Sequence, residues 1–452
     1  MTGDTYIPIS VKDCSKLTLP DDQLRALQTF SAQADDFHLF TFKMDPDPED
    51  KSSLLEYEYK NNAWWTNRYV GEAKFNHLGK DYSVSIYPRF GELFLFRMLE
   101  EIFNIRQTHS KSKTSKTEDI QFLIRKVVAF IWVQLLANAN KHGIPKNTAT
   151  RVFEGAKIKG RINVIKTIHS LSKSNSITSA YREKTPNNII GNIILQAYKI
   201  LSLAYGLDSI RLPDNAQDAL NELFSAKIAT ETISVHQYKG IVYKDIYFSY
   251  KPLVDFSWDI IQRKNLLLHS RENKINKGFS FFIDIAEVWE LYLKSLLKKR
   301  LQIHGWRQVN ANHLVYGDKF YGKRIIPDIV FEKEKKTVMW DAKYKRMYFY
   351  SAELDREDFF QIHTYSSYYQ NTSDLISAGL LYPITLKTNK DKLLSNHSDG
   401  LFGIKGSSVR FVMDGVDISF LTDDSVTDKE KIVLMKQKES EFLERIILSM
   451  PD

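Results

Sequence analysis

The stretch PDIVFEKEKKTVMWDAKYK, residues 327–345, constrains this chain more than any other. IIPDIVF and TVMWDAKY are rich in β-branched and aromatic residues, and EKEKK between them reads as a polar turn. The segment is therefore expected to be a β-hairpin whose strands pack on a core. If the strands fold symmetrically about Glu334–Lys335, Phe331 faces Val338 and Asp328 faces Asp341. Lys343 follows Asp341 by two residues, so it shares that face. Carboxylates and an ammonium are costly in such strands. Two facing carboxylates also repel each other unless something cationic sits between them. A hard divalent cation meets that need, and Mg²⁺ takes one or two carboxylates together with waters and a phosphate oxygen. Lys343 would lie beside the metal, able to orient a water or to balance phosphoryl charge. Such a constellation suits phosphodiester hydrolysis. The plainer alternative is an edge hairpin whose Asp and Lys form a surface ion pair.

Two neighbouring helices add candidates. In AEVWELYLKSLL, Glu290 shares a helical face with Ala286, Leu293 and Leu297, and it could complete or tune a metal shell. Glu287 is its rival one turn earlier. In DFFQIHTYSSYY, Gln361 and Tyr365 are spaced i, i+4, so an amide and a phenol share one face, where they could bind a DNA phosphate or brace the lysine. Phe359, Phe360 and Tyr368 read as packing residues of the same helix. His363 reads as packing or surface and not as a general base.

The chain of 452 residues is long for one core, so two or three domains are expected. Residues 1–105 read as a small β domain built on YIPISV, FHLFTFKM, LLEYEYK, NRYVGEAKF and YSVSIYPRF. Residues 106–270 read as mainly helical, interrupted by FEGAKIKGRINV, with a basic polar loop QTHSKSKTSKTED near their start. Residues 271–452 read as an α/β domain in which helices alternate with a small mixed sheet, including a late strand pair around VRFVMDGVDISFL. The fold class expected is thus multidomain α+β.

Several functions are excluded or disfavoured. The single cysteine, Cys14, rules out a disulfide scaffold, suits a reducing cytosol and lacks an evident histidine partner. His236, His269, His304 and His313 lack the spacing of zinc ligands. No phosphate-binding G-x-x-x-x-G-K-[ST] loop occurs, so nucleotide hydrolysis would have to come from another chain. The longest apolar run, residues 127–137, is too short to span a bilayer, and no signal peptide is evident, so a cytoplasmic location without membrane contact is expected. A formal charge of +8 leans mildly towards a polyanionic partner. Trp64 and Trp65 read as core of the β domain, with base stacking as the alternative.

A helix bearing Glu290, a strand with PDIVF, a strand with DAK and a helix with Q-x-x-x-Y follow in the order of the PD-(D/E)XK nuclease superfamily, which the last third of the chain resembles. The resemblance extends to nearly the full length. RYVGEAKF, VSIYPRFG, FLFRMLEEIF, KGRINVIKTI, YREKTPNNIIGNIILQAYKIL, VWELYLKSLL, WDAKYK, FFQIHTYSSYY and GLLYPIT resemble the McrC family, the nuclease subunit of the McrBC 5-methylcytosine-specific restriction system. The resemblance implies a restriction-endonuclease-like last domain. It implies that Asp328, Asp341 and Glu290 bind Mg²⁺, or Mn²⁺ as the alternative, that Lys343 assists attack, and that Gln361 and Tyr365 support it. It further implies a DNA endonuclease subunit that defends against modified DNA, docking through its first two segments onto a hexameric AAA+ GTPase of the McrB type. A nuclease working alone or with a helicase in repair, and a DNA-binding adaptor that no longer cleaves, are the rival readings.

Overall fold

Residues 6–33, 39–40, 53–103, 116–186, 188–204, 207, 210, 212–226, 228, 231–269, 281–317, 319–344, 355–385, 393–394 and 397–450 are described by a computed structural model of the protein. The chain divides into two compact units, residues 1–113 with 280–452, and residues 114–279. The expected boundaries at 105/106 and 270/271 lie near the ends of the second unit, but the first and last segments form one unit instead of two domains.

The reason is a four-residue strand. In the first segment, β1 (Ile7–Lys12), the helix α1 (Asp21–Gln33), β2 (Tyr69–His77) and β3 (Lys80–Tyr87) begin a mixed sheet. β1 runs parallel to β3, and β3 pairs antiparallel with β2. Leu78 and Gly79 join β2 to β3 with φ of 51° and 79°, the left-handed pair that a two-residue hairpin turn requires. After the whole second unit, β4 (Phe281–Asp284) returns to pair antiparallel with β2, opposing Phe281 to Glu72. Ile9, Leu27, Phe30, Phe75, Tyr82 and Phe282 form the core of this layer. Trp64 packs against it, as its aromatic stretch suggested.

α2 (Glu92–Phe103) leads out of this sheet, and α3 (Ile285–Ile303) starts directly after β4, capped by the Asp284 carboxylate. Phe94 of α2 packs against Trp289 and Tyr292 of α3. The strands that follow are β5 (Arg307–Val309), β6 (Ile329–Lys333) and β7 (Lys336–Ala342); then come α4 (Arg356–Thr372), β8 (Asp374–Leu381), β9 (Ser398–Gly400), β10 (Arg410–Asp414) and α5 (Asp428–Leu448). The six strands order as β5-β6-β7-β8-β10-β9. β6 and β7 are antiparallel, whereas β7, β8 and β10 run parallel, since α4 provides the crossover that a parallel pair needs. β8 is buried along almost its entire length, which its apolar run DLISAGLL requires. Of the expected late strand pair only β10 forms. Asp417 makes a single bridge to Ile384, and Ser419–Thr422 turns as a short 3-10 helix.

Arg97 of α2 donates to both carboxylate oxygens of Glu439 in α5, at 2.7 and 2.6 Å, and Tyr292 of α3 donates to the same carboxylate at 2.7 Å. Three helices thus share one buried acid. A bidentate guanidinium and a phenol satisfy a charge that would otherwise be costly to bury.

The second unit stands on helices Lys116–Ala139, Ile189–Ala204, Asp214–Ser225 and Tyr250–His269. Trp132, fully buried, donates to Ser257 at 2.8 Å. The stretch read as an interruption of the helices belongs to a three-stranded antiparallel sheet of Asn147–Gly155, Arg161–Ile162 and Ile177–Thr185. The greater part of the basic loop QTHSKSKTSKTED lies outside the described residues. No described helix is long and apolar enough to cross a membrane.

β8 passes close to β10 at Gly379, where an added Cβ would lie 1.9 Å from the Val412 carbonyl oxygen. Gly379→Ala should force the strands apart and cost about 1–3 kcal/mol or more. Denaturant unfolding measures it, and wild-type stability would contradict this packing.

Candidate functional site

The β6–β7 hairpin has the register its sequence predicts. Phe331 opposes Val338 and Ile329 opposes Trp340, with Glu334 in the left-handed region (φ 56°) at the turn. Asp328 stands one residue ahead of the last ladder pair and Asp341 one residue beyond it, so the two aspartates face each other at the open end. The Ala342 amide donates to Asp328 Oδ2 at 2.8 Å, and Asp328 lies within hydrogen-bond reach of the Asp341 carboxyl. Asp341 is 2% exposed.

Both carboxyls are held above their ordinary pKa range. For Asp328 burial is the main cause, followed by the charges of Asp341 and Glu290. For Asp341 burial again leads, with Lys343 opposing it. Lys343 Nζ pairs with Asp341 Oδ2 at 2.6 Å, donates to Gln361 Oε1 at 2.6 Å and lies 3.5 Å from Asp358 Oδ1. Burial works against its charge, but Asp341, Asp358 and Asp328 outweigh burial, and its pKa stands above the ordinary lysine value. A lysine held protonated in this way cannot take a proton from water. It acts as a fixed positive charge and a hydrogen-bond donor.

α4 brings the lysine its other partners. Gln361 donates to Tyr365 Oη at 2.9 Å, which orients the amide so that its oxygen meets Lys343. The bracing role considered for this pair is the one the hydrogen bonds describe. Burial raises the Tyr365 phenol, which stays neutral. Asp358, 2% exposed, was not singled out from the sequence. Asp358, Gln361 and Tyr365 recur at i, i+3 and i+7, so helical spacing carried the signal. Tyr382, following β8, donates to Asp358 Oδ2 at 3.3 Å.

Glu290 of α3 is 8% exposed and accepts a hydrogen bond from Lys294 one turn on. It contributes to the field at Asp328, as does Lys294. Glu287 sits in the first turn of α3, where its amide receives the Asp284 cap at 3.3 Å. His363 lies among Phe359, Phe402 and Phe411, with ring centroids 4.1 to 5.3 Å away, in keeping with a packing role.

The residue after Lys343 is clamped from the other sheet. Arg89, just past β3, donates to the Tyr344 carbonyl at 2.8 Å and lies 4.5 Å above the Tyr344 ring. Its own charge pairs with Asp13 at 3.7 Å, both side chains being almost fully buried. Losing one partner of such a pair typically costs about 3–5 kcal/mol, so this clamp is firm. Burial beside it pushes the Cys14 thiol up to about 12, with Arg89 opposing, so the thiol is inert at neutral pH.

Four carboxylates, Asp328, Asp341, Asp358 and Glu290, therefore face two ammonium groups, Lys343 and Lys294. The hard-oxygen character of the aspartate pair fits a divalent cation. Among the described residues no three His, Cys, Asp or Glu side chains stand as a group that could hold a metal.

The family model for the McrBC 5-methylcytosine restriction system component matches residues 65–383. Two solved assemblies from Thermococcus gammatolerans are similar to the chain. One is a half-complex from a tetradecameric assembly of McrB AAA+ hexamers with bound McrC, at 14% identity and a TM-score of 0.49, covering 98% of this chain and 99% of that one. The other is the McrBC complex, at 16% identity and a TM-score of 0.31, covering 65% of this chain and 88% of that one. No curated protein matches the chain.

A carboxyl whose folded pKa lies above its unfolded value stabilises the fold while protonated, fully so below about pH 4. That contribution disappears as pH rises through the raised value. Asp328→Asn should therefore raise the melting temperature at neutral pH in chelator, and the gain should shrink towards pH 4. A gain that is absent at neutral pH would contradict the raised Asp328 carboxyl.

Proposed function

This chain belongs to the McrBC family of restriction-system components, and on that footing we propose that it is the DNA endonuclease subunit of such a system. The observation that carries the reading is the convergence of Asp328, Asp341 and Lys343 in one buried cluster. Asp328 and Asp341 would hold Mg²⁺ or Mn²⁺; when bound, the ion lowers the pKa of a water and offsets charge on the phosphate. Lys343, kept as an ammonium, donates to a water or to a phosphate oxygen that enters beside the pair. Asp341, Asp358 and Gln361 fix the direction of its Nζ. Tyr365 holds the Gln361 amide, and Glu290 adds negative charge beside Asp328.

The chain has no phosphate-binding loop of its own, so a motor that consumes nucleotide would be a second protein. In a McrBC-type system that partner is a hexameric AAA+ GTPase, and the substrate is DNA bearing modified bases. The second unit and the sheet of β1–β4 are the docking regions this reading assigns to it.

Plasmid cleavage with Mg²⁺, with and without a neighbouring AAA+ protein and GTP, tests this. Cutting is expected from the complete mixture alone, and strong cutting by the isolated chain would defeat the subunit reading. Asp341→Ala and Lys343→Ala should each lower cutting about a thousandfold or more, the equivalent of several kcal/mol of lost charge stabilisation, with assembly intact. Retained cutting would defeat the site.

A further inference from the structure

Just before Asp328 the chain forms a ribbon outside the main sheet. His313–Val315 pairs antiparallel with Lys323–Ile325, and these two strands form a sheet of their own. Its base is anchored. His313 Nε2 lies 2.9 Å from Tyr369 Oη of α4, the His313 ring stands 5.0 Å from that of Tyr368, and Ile325 is 7% exposed. Its tip is the reverse. Phe320 is fully exposed, and Tyr316 and Tyr321 are 67% and 50% exposed.

The tip is nevertheless built. Lys319 N donates to the Tyr316 carbonyl at 2.9 Å and Gly322 N to the Lys319 carbonyl at 3.1 Å, so one turn closes on the next. Tyr316 takes a left-handed φ of 53°, and a Cβ at Gly322 would meet its carbonyl at 2.9 Å. Tyr321 stands between its neighbours, 5.5 Å from Tyr316 and 5.1 Å from Phe320. Within residues 316–324, Lys319, Lys323 and Arg324 oppose a single acid, Asp318.

We propose that this ribbon is a DNA-contacting arm of the cleavage site, with Phe320 against base edges in a groove and Lys319 and Arg324 against phosphates on its walls. The inference rests on the nuclease reading and adds to it a surface for duplex DNA. A two-stranded ribbon fits the major groove. Asp328 follows Phe320 by eight positions, a reach of at most about 28 Å and shorter than one duplex turn of about 34 Å. A tip held on α4 would therefore grip the duplex within a turn of the bond that Asp328 and Asp341 address. Surplus positive charge favours a nucleic acid over a protein as its occupant.

The test uses the full chain carrying Asp341→Ala, so that DNA is bound without being cut, and a fluorescent duplex read by anisotropy across a salt series. Adding Phe320→Ala should weaken binding about tenfold with the salt slope unchanged. Phe320→Trp should bind as the parent does. Adding Lys319→Ala with Arg324→Ala should reduce the steepness of the salt dependence by about 1.8. Parental affinity and slope in all these variants would overturn the arm and leave the nuclease reading intact. So would loss in Phe320→Trp equal to that in Phe320→Ala, or variants that bind DNA normally but no longer assemble with an AAA+ partner. Absence of DNA binding in the parent would overturn the arm, while cleavage by the complete mixture decides the nuclease reading separately.

Discussion

Two aspartates held face to face at the open end of a hairpin are the constraint on which the site depends. Asp328 and Asp341 sit where the β6–β7 register puts them, and neither can turn away, since the Ala342 amide holds one and Lys343 the other. Desolvation raises both carboxyls, and the charges of Asp341 and Glu290 raise Asp328 further. A protein keeps such an arrangement, against its own stability, when something else binds there. On the proposed reading, the hard oxygens of the pair would suit a divalent cation, and the protonated lysine beside them would meet a phosphate.

The surrounding architecture reads as support for that pair. β7 lies inside the sheet with β6 and β8 on its two sides, so Asp341 rides on a strand that cannot move independently. α4 crosses back to supply Asp358, Gln361 and Tyr365, which aim the lysine. From the other sheet, Asp13 and Arg89 grip Tyr344, the next residue along. β4 explains how that grip is possible, because it threads residues 281–284 back into a sheet begun near residue 7. A rearrangement of the first sheet would therefore reach the lysine through a single buried guanidinium. That route joins the region proposed for docking with the aspartate pair.

The hairpin was legible because its information is local. Period-two alternation, a charged turn and two apolar runs set the register, and the register set which residues oppose each other. Gln361 and Tyr365 were legible for the same reason, through helical spacing. Asp358 shared their spacing but sits in the first turn of α4, where an acid is also explained by the helix dipole. The Asp13–Arg89–Tyr344 clamp was not legible, since its members are separated by 76 and 255 residues and no periodicity links them. The same holds for β4, whose four residues carry too little pattern to announce their partner. The late strand pair failed because Asp417 spends its carboxylate capping Ser419, which turns the chain after one bridge.

The most direct test of the central claim is calorimetric titration of the whole chain with Mg²⁺, in buffers of differing ionisation enthalpy, between about pH 5 and pH 8. If the ion takes the place of a proton shared by two buried carboxyls, binding should release protons, and the release should fade as pH rises. Binding without proton release at any pH, or no binding at all, would contradict it.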